Sequence, residues 1–320
     1  MLKLKGYQKL PMHETIPTPS FGLNHALGGG LWTGRFHTFW GNPSAGKSTL
    51  ALHTLANAQE MGYTPIVIDS EGSITDAWRE KCGIDTSQDQ SYIVRKTNVE
   101  DILSIMLPAM RVEGSKCAFL LDSINTMVAD IFYKKDESQG GLGVYARSQT
   151  MMMQKLANEV IANTDHIVIL IAQQTYDLSN TNVMAVPKIG NAVNHWNTNT
   201  IKFFASQAKD SVERDKDRKI TDHEVFWTIS KSKQRAVMGT TGGFWYNPST
   251  AKVDRKQEIF NIAVRNGIIT RKGSYYVVGD ESFQGKPKAM ENITDNMWDK
   301  IEGELSGKEE LSFEFDDTQL

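Results

Sequence analysis

The chain has 320 residues, 40% apolar and 23% charged, with a net charge of −3, the proportions of a globular protein with one large domain or one large and one small. No run of about 18 apolar residues occurs, the N-terminal stretch lacks the apolar core of a secretory signal, and two cysteines with seven scattered histidines form no zinc pattern. These features argue against a membrane span, secretion and structural zinc, and lead us to expect a cytoplasmic chain.

In chain order, near-continuous apolar runs mark strands at 35–40 (RFHTFW), 64–68 (TPIVI), 117–121 (CAFLL) and 167–172 (IVILIA). Continuous rather than alternating runs are what central strands of a parallel sheet show, because helices cover both faces. Helical stretches lie between them at 48–61, 99–112 and 145–163. Two more apolar runs follow, 200–205 (TIKFFA) and 224–230 (EVFWTIS). The alternation predicts an α/β fold, a mostly parallel twisted sheet with helices on both faces. Around Arg255 the character changes to a helix at 258–267, a short hairpin at 268–278 and a helix at 288–303. The expected organisation is a short N-terminal segment (1–15), a core (16–270), a small C-terminal α+β domain (271–306) and an acidic disordered tail (307–320). From 301 onward seven carboxylates face one lysine, Lys308. Such a tail is either a solvated end or an arm competing with nucleic-acid phosphate for a basic groove.

The most specific local pattern is Gly41, Asn42, Pro43, Ser44, Ala45, Gly46, Lys47 and Ser48, followed by Thr49. It fits G-x-x-x-x-G-K-[ST] in full, with a strand before it and a helix after it. The glycines let backbone N–H groups curl around phosphate oxygens, and the helix adds its positive end. Lys47 should reach the β- and γ-phosphates of ATP, and Ser48 should ligate Mg²⁺. Asp122, ending CAFLLD, is placed to hold the same Mg²⁺, the alternative being a helix cap. Glu71 follows the strand TPIVID and suits a base for the attacking water, with Asp69 the competing candidate. Gln174 ends the fourth run and could sense the γ-phosphate, although Gln173 beside it leaves the register open.

Two connections are too long and polar to be plain links. One spans 131–144 (IFYKKDESQGGLGV) and is followed by Arg147. Its glycines Gly140, Gly141 and Gly143, around Leu142, allow close approach to a phosphate chain. The other, 175–199, is rich in asparagine, Asn191 among them. It carries Lys188 and an apolar knot that includes Val183 and Met184. Amides and a lysine suit sugar–phosphate contacts, and an apolar knot can wedge between bases. Lys231 and Lys233, with Arg235, follow EVFWTIS as either a solvated edge or phosphate donors at a subunit interface.

The succession of these motifs resembles the RecA family of DNA strand-exchange ATPases over most of the chain. SFGLNHALGGGLWTGRFHTFWGNPSAGKST, IDSEGSITDAW, LLDSI, GLGVYARSQTMMMQKLA, TIKFFAS, SKSKQRA and YYVVGDESFQGKPKAMENI carry the likeness. The AQQTYD segment and the abbreviated front end look closer to phage UvsX-type recombinases. The resemblance implies a RecA-like P-loop ATPase core, with Glu71 as catalytic glutamate, Gln174 as γ-phosphate sensor and Trp78 near the adenine. It makes the two long connections DNA-binding loops, and Lys231 and Lys233 the lysines that reach the ATP of a neighbouring protomer. The implied partners are single-stranded DNA, a homologous duplex, further copies of the chain in a helical filament, and mediator and single-strand-binding proteins. The sequence departs from the family at Gln154, where a second arginine is usual, and in the missing glycine pair before TIKFFAS. Two rival readings are a ring-forming helicase of the same superfamily and a paralogue that binds ATP to load or cap another filament.

Overall fold

The computed structural model describes residues 12–133, 143–177, 184–205, 212–214, 216 and 220–313. The chain opens with β1 (Thr15–Ile16), α1 (Phe21–Leu27) and β2 (Leu31–Trp32), the two strands pairing antiparallel. Then follow β3 (Arg35–Gly41), α2 (Lys47–Glu60), β4 (Thr64–Asp69), α3 (Asp76–Lys81), β5 (Tyr92–Val94), α4 (Val99–Arg111), β6 (Cys117–Asp122), α5 (Asp130–Tyr133), α6 (Val144–Ala162) and β7 (His166–Asp177). The sheet is completed by β8 (Met184–Pro187), α7 (Asn191–Trp196), β9 (Asn197–Ala205), β10 (Val212–Arg214), β11 (Ile220–Ser232), β12 (Thr241–Tyr246) and β13 (Val253–Asp254). The C-terminal part holds α8 (Arg255–Arg265), β14 (Thr270–Lys272), β15 (Tyr275–Val278), β16 (Glu281–Gln284), α9 (Lys286–Asn292) and α10 (Asp295–Ser306).

The main path of the large sheet runs β13-β12-β11-β9-β3-β7-β6-β4-β5. From β9 to β5 every pair is parallel. Alternate residues of these strands serve opposite faces. Ile167, Ile169 and Ile171 of β7 pack with Leu50, Leu52 and Leu55 of α2, whereas Val168, Leu170 and Ala172 pack with Met106 of α4 and Met153 and Leu156 of α6. Two-sided cover is why these strands read as continuous apolar runs. The parallel half ends at β9, where β11, β12 and β13 continue the sheet antiparallel. A turn as short as the one joining β11 to β12 can only bring its strand back beside the last.

The region expected as one asparagine-rich loop carries structure. β7 runs on to Asp177 and pairs antiparallel with β8, and α7 fills the way to β9. Residues 178–183, and with them Val183, lie outside the described residues, as do Gly140, Gly141 and Leu142 of the first loop.

In the C-terminal part three strands form their own antiparallel sheet. The third, β16, has the sequence ESFQ, too polar for its short length to stand out. The helix expected over 288–303 is two, α9 and α10, divided where buried Ile293 leads into an extended Thr294. Here α8 packs with α10 in a third core containing Phe260, Trp298, Ile301 and Leu305. Glu258 of α8 is fully buried and ties this part to α1. Its carboxyl accepts from the Ser20 hydroxyl at 2.6 Å and from the Phe21 and Gly22 amides, each at 2.9 Å. Residues 307–313, expected to be disordered, lie across the same region. Ser312 and Asn266 exchange hydrogen bonds, and the Phe313 ring meets Trp227 edge-on at 5.6 Å. Residues 314–320 lie outside the described residues. Among the described residues no helix is long and apolar enough to cross a membrane.

Candidate nucleotide-binding site

Neighbouring parallel strands bring the candidate residues to one edge of the sheet. Gly41 ends β3 opposite Gln173 of β7, and Asp69 ends β4 opposite Asp122 of β6. Open α/β sheets bind ligands at this carboxyl edge.

The loop 41–48 is shaped by positions that only glycine fills. At Gly41, φ is 141°, and a Cβ would stand 1.8 Å from the Phe203 carbonyl oxygen on β9. Gly46, at φ 73°, starts α2 without a side-chain cap. Lys47 donates to the Gly41 and Asn42 carbonyls at 3.2 and 2.6 Å, so its ammonium lies inside the curl of the loop. Burial lowers the Lys47 pKa, while Asp122 and Glu71 pull it back up. Asn42, Pro43 and Ser44 are exposed and Ala45 is buried. Thr49 bonds the Tyr246 hydroxyl at 3.2 Å, which fixes the first turn of α2 to the end of β12.

Asp122 is 4% exposed. Burial pushes its carboxyl up to about 6; a hydrogen bond from Ser48 opposes the rise, and Glu71 and Asp69 add to it. A buried carboxyl beside a hydroxyl at the mouth of the loop fits Mg²⁺. That ion takes few protein oxygens, keeps several waters and would stabilise the ionised carboxylate.

Glu71 is exposed and oriented from two sides. Its Oε1 accepts from the Ser123 hydroxyl at 2.7 Å and from Gln173 Nε2 at 3.3 Å. Its competitor Asp69 is committed elsewhere. Both carboxylate oxygens cap the following turn, accepting from the Gly72, Ser73 and Ile74 amides at 2.8, 3.2 and 2.9 Å. Both of its oxygens are thus engaged by the turn.

The two glutamines part company because strand side chains alternate. Gln173 reaches Glu71, whereas Gln174, the sequence candidate, donates to the Tyr176 hydroxyl at 3.1 Å. Trp78 of α3 packs against the core around α2 with Lys81 over its ring. Lys231 donates to the Asn194 backbone carbonyl, and to its side chain at 3.3 Å. Lys233 donates to the His195 carbonyl. Both lysines therefore meet the carbonyl end of α7. Beneath them Asn199, Ser232 and Gln234 form a hydrogen-bonded cluster reaching buried His37. Of the DNA-loop candidates, Arg147 lies over the Phe132 ring and Lys188 over the Tyr145 ring. Met184 and Asn191 are exposed, as is Gly143.

Sequence reasoning passed over Ser123, Asn125 and Tyr246. Asn125 accepts from the Gln173 amide at 2.6 Å and donates to the Lys188 carbonyl, locking the start of the β7–β8 hairpin. Its position three residues past Asp122 was the available signal.

Family models match most of the chain. That of the RecA N-terminal domain matches residues 1–237, and that of the RecA C-terminal domain matches residues 257–308. The chain is 28% identical over 318 residues to the mitochondrial DNA repair protein recA homolog of Dictyostelium discoideum, covering 96% of this chain and 67% of that protein. It is 27% identical over 315 residues to protein RecA of Azospirillum lipoferum, covering 96% and 84%. With protein RecA of Thermotoga maritima it shares 29% over 308 residues, covering 91% and 81%. The phosphate loop at the carboxyl edge, the mixed sheet behind it and the small domain after it are accounted for together: this chain belongs to the RecA family.

Proposed function

We propose that this protein is an ATP-dependent homologous recombinase that polymerises on single-stranded DNA, pairs it with a homologous duplex and hydrolyses ATP as it does so. The observation that carries this reading is the convergence of Lys47, Ser48, Asp122 and Glu71 on one edge of a RecA-family core.

The residues divide the work. Amides of the loop 41–48 and the start of α2 surround the phosphates. Lys47 exchanges its two carbonyl partners for phosphate oxygens. Ser48 and Asp122 would hold Mg²⁺, which supplies charge neutralisation at the phosphates. Glu71, steadied by Ser123 and Gln173, takes a proton from the attacking water. Trp78 flanks the base, and Lys231 and Lys233 serve the ATP of the adjoining protomer. Gln174 follows the γ-phosphate and passes its state to the β7–β8 hairpin. The two loops grip the DNA backbone, so base pairing rather than protein contact selects sequence.

We draw the boundary of the small domain near Asp254 rather than at 271, because α8 shares its core with α10. A cytoplasmic setting, a phage UvsX-type lineage, and mediator and single-strand-binding partners belong to the same reading.

Electron microscopy with ATP and single-stranded DNA tests it. Regular helical filaments are expected; closed rings or no assembly would sink the proposal. In parallel, Glu71→Gln should lower single-strand-stimulated ATP turnover by about a hundredfold or more, the scale of a lost general base, with nucleotide still bound. Normal turnover in that variant would remove Glu71 from the mechanism.

A further inference from the structure

Three neighbouring strands each set one polar side chain in a row across the sheet. His37 of β3 is paired with Asn199 of β9, and Asn199 with Ser232 of β11. His37 and Asn199 are fully buried. Burial pushes the His37 pKa down to about 4, so its ring is neutral. Its Nε2 carries the proton and donates to the Trp32 carbonyl at 2.8 Å, which leaves Nδ1 to accept from Asn199 Nδ2 at 3.1 Å. The second Asn199 N–H goes to Gln234 Oε1 at 2.8 Å, and Asn199 Oδ1 accepts from the Ser232 hydroxyl at 2.7 Å. Gln234 in turn donates to the Leu27 and Gly30 carbonyls at 2.5 and 2.7 Å, at the end of α1, where helix carbonyls lack partners of their own. No step of the nucleotide chemistry uses this row. Its place in the chain gives it a role, because Ser232 lies between Lys231 and Lys233. Strand side chains alternate, so the two lysines leave from the other side, toward α7. The ladder gives this stretch little hold: the register of β11 on β9 shifts between Ile229 and Lys231, and β11 ends at Ser232. Past that end the Lys233 amide donates to the Thr198 carbonyl at 2.8 Å, and the Gln234 amide to Ser232 Oγ at 3.0 Å.

We propose that Asn199, Ser232 and Gln234 are positioning residues for the phosphate chemistry of the adjoining protomer, fixing the backbone from which Lys231 and Lys233 project. This rests on the reading that those lysines serve a neighbour's ATP, and it names what aims them. A lysine is a point charge on a flexible four-carbon stem, so its reach is only as good as the placement of its Cα. A buried polar network with every member satisfied holds one arrangement, and both amide side chains here use both N–H groups and the carbonyl. The row also anchors on β3, whose far end opens the chain's own phosphate loop. One frame therefore sets the lysines at a fixed offset from that loop. A head-to-tail assembly needs such an offset when each copy offers one site and completes the next.

The test is ATP turnover with single-stranded DNA by Gln234→Met, which keeps the length of the side chain and loses its hydrogen bonds, alone and mixed with Glu71→Gln. Alone, Gln234→Met should lose about a hundredfold in kcat, the cost of misplacing a reacting-site group by roughly 1 Å. Its affinity for ATP without DNA should match the parent's, since its own phosphate loop is intact. Mixed one to one with the slow Glu71→Gln variant, it should recover about a quarter of the parental rate, because about one head-to-tail interface in four then joins an intact site to well-aimed lysines. The double variant Lys231→Met, Lys233→Met should be slow and be complemented in the same way. Ser232→Ala, at the outer end of the row, should show a smaller loss with the same complementation. Full turnover in Gln234→Met, with the double lysine variant slow, overturns the positioning assignment alone. So does a loss that Glu71→Gln does not complement, because the damage then lies in the chain's own site. Full turnover in the double lysine variant overturns the underlying reading with it. If Gln234→Met does not fold, Ser232→Ala carries the comparison, and normal turnover there overturns the assignment.

Discussion

At the scale of single residues, position matters more than residue type. Asp69 and Glu71 are two carboxylates two residues apart, but one is sealed by three amides and the other faces the phosphate loop. Spacing named both with Asp69 as the competitor, and the family resemblance favoured Glu71; the physical difference lies in where the turn after β4 points its N–H groups. The same limit applied to Gln173 and Gln174, whose separation depends on strand register. Substituting each by alanine tests the two roles. Gln173→Ala should lower basal and DNA-stimulated ATP turnover alike, since it steadies Glu71. Gln174→Ala should chiefly reduce the stimulation by single-stranded DNA. Identical effects on both rates would merge the roles. Gly41→Ala is expected to be harsher than either, because its Cβ would overlap the Phe203 carbonyl at 1.8 Å. Separating β3 from β9 should cost several kcal/mol, read as loss of soluble, folded protein rather than of turnover alone.

At the scale of elements, the central parallel strands were legible because helices on both sides demand apolar residues at every position, whereas the parallel edge strand β5, three residues long and partly exposed, was not. Of the antiparallel extension only the run within β11 stood out; β12, β13, β8 and β16 did not, because short strands with polar or glycine residues signal little. One element junction turns on a charge the sequence does not flag. Glu258 joins α8 to the start of α1, and burial pushes its carboxyl up to about 7 against three hydrogen bonds that pull it down. Between about pH 4.5 and 7 the folded state therefore holds a proton that the unfolded state has lost. Stability from this group is greatest below that window, falls as pH rises through it and levels off above pH 7. The fall should be on the order of 3 kcal/mol. Urea unfolding of the parent between pH 5 and 8 should show it, and Glu258→Gln should flatten the profile. An equal slope in the variant would assign the dependence to another group.

At the scale of the molecule, the C-terminal segment is more than an acidic end. The sequence pointed to charge from 301 onward, and charge usually means a solvated tail. Within it, however, Leu311 and Phe313 are apolar. Phe313 is buried against Gly22 and Ile262 as well as Trp227, so one ring spans α1, the large sheet and α8. Lys308 and Ser312 secure the strap through His25 and Asn266. Two truncations separate the strap from the acidic end. Ending the chain after Phe313 removes Glu314, Asp316 and Asp317 and moves the net charge from −3 to 0, while leaving every contact above in place. Its thermal midpoint should match the parent's, and its affinity for duplex DNA should rise, most clearly at low salt, as fewer carboxylates oppose the phosphates. Ending the chain after Ser306 also removes the ring, and a buried phenylalanine lost from such a junction costs about 3 kcal/mol. That protein should melt earlier, and Phe313→Ala should reproduce the loss without altering the charge. If both truncations melt with the parent, the strap contributes nothing to the fold and residues 307–313 act only through their charge.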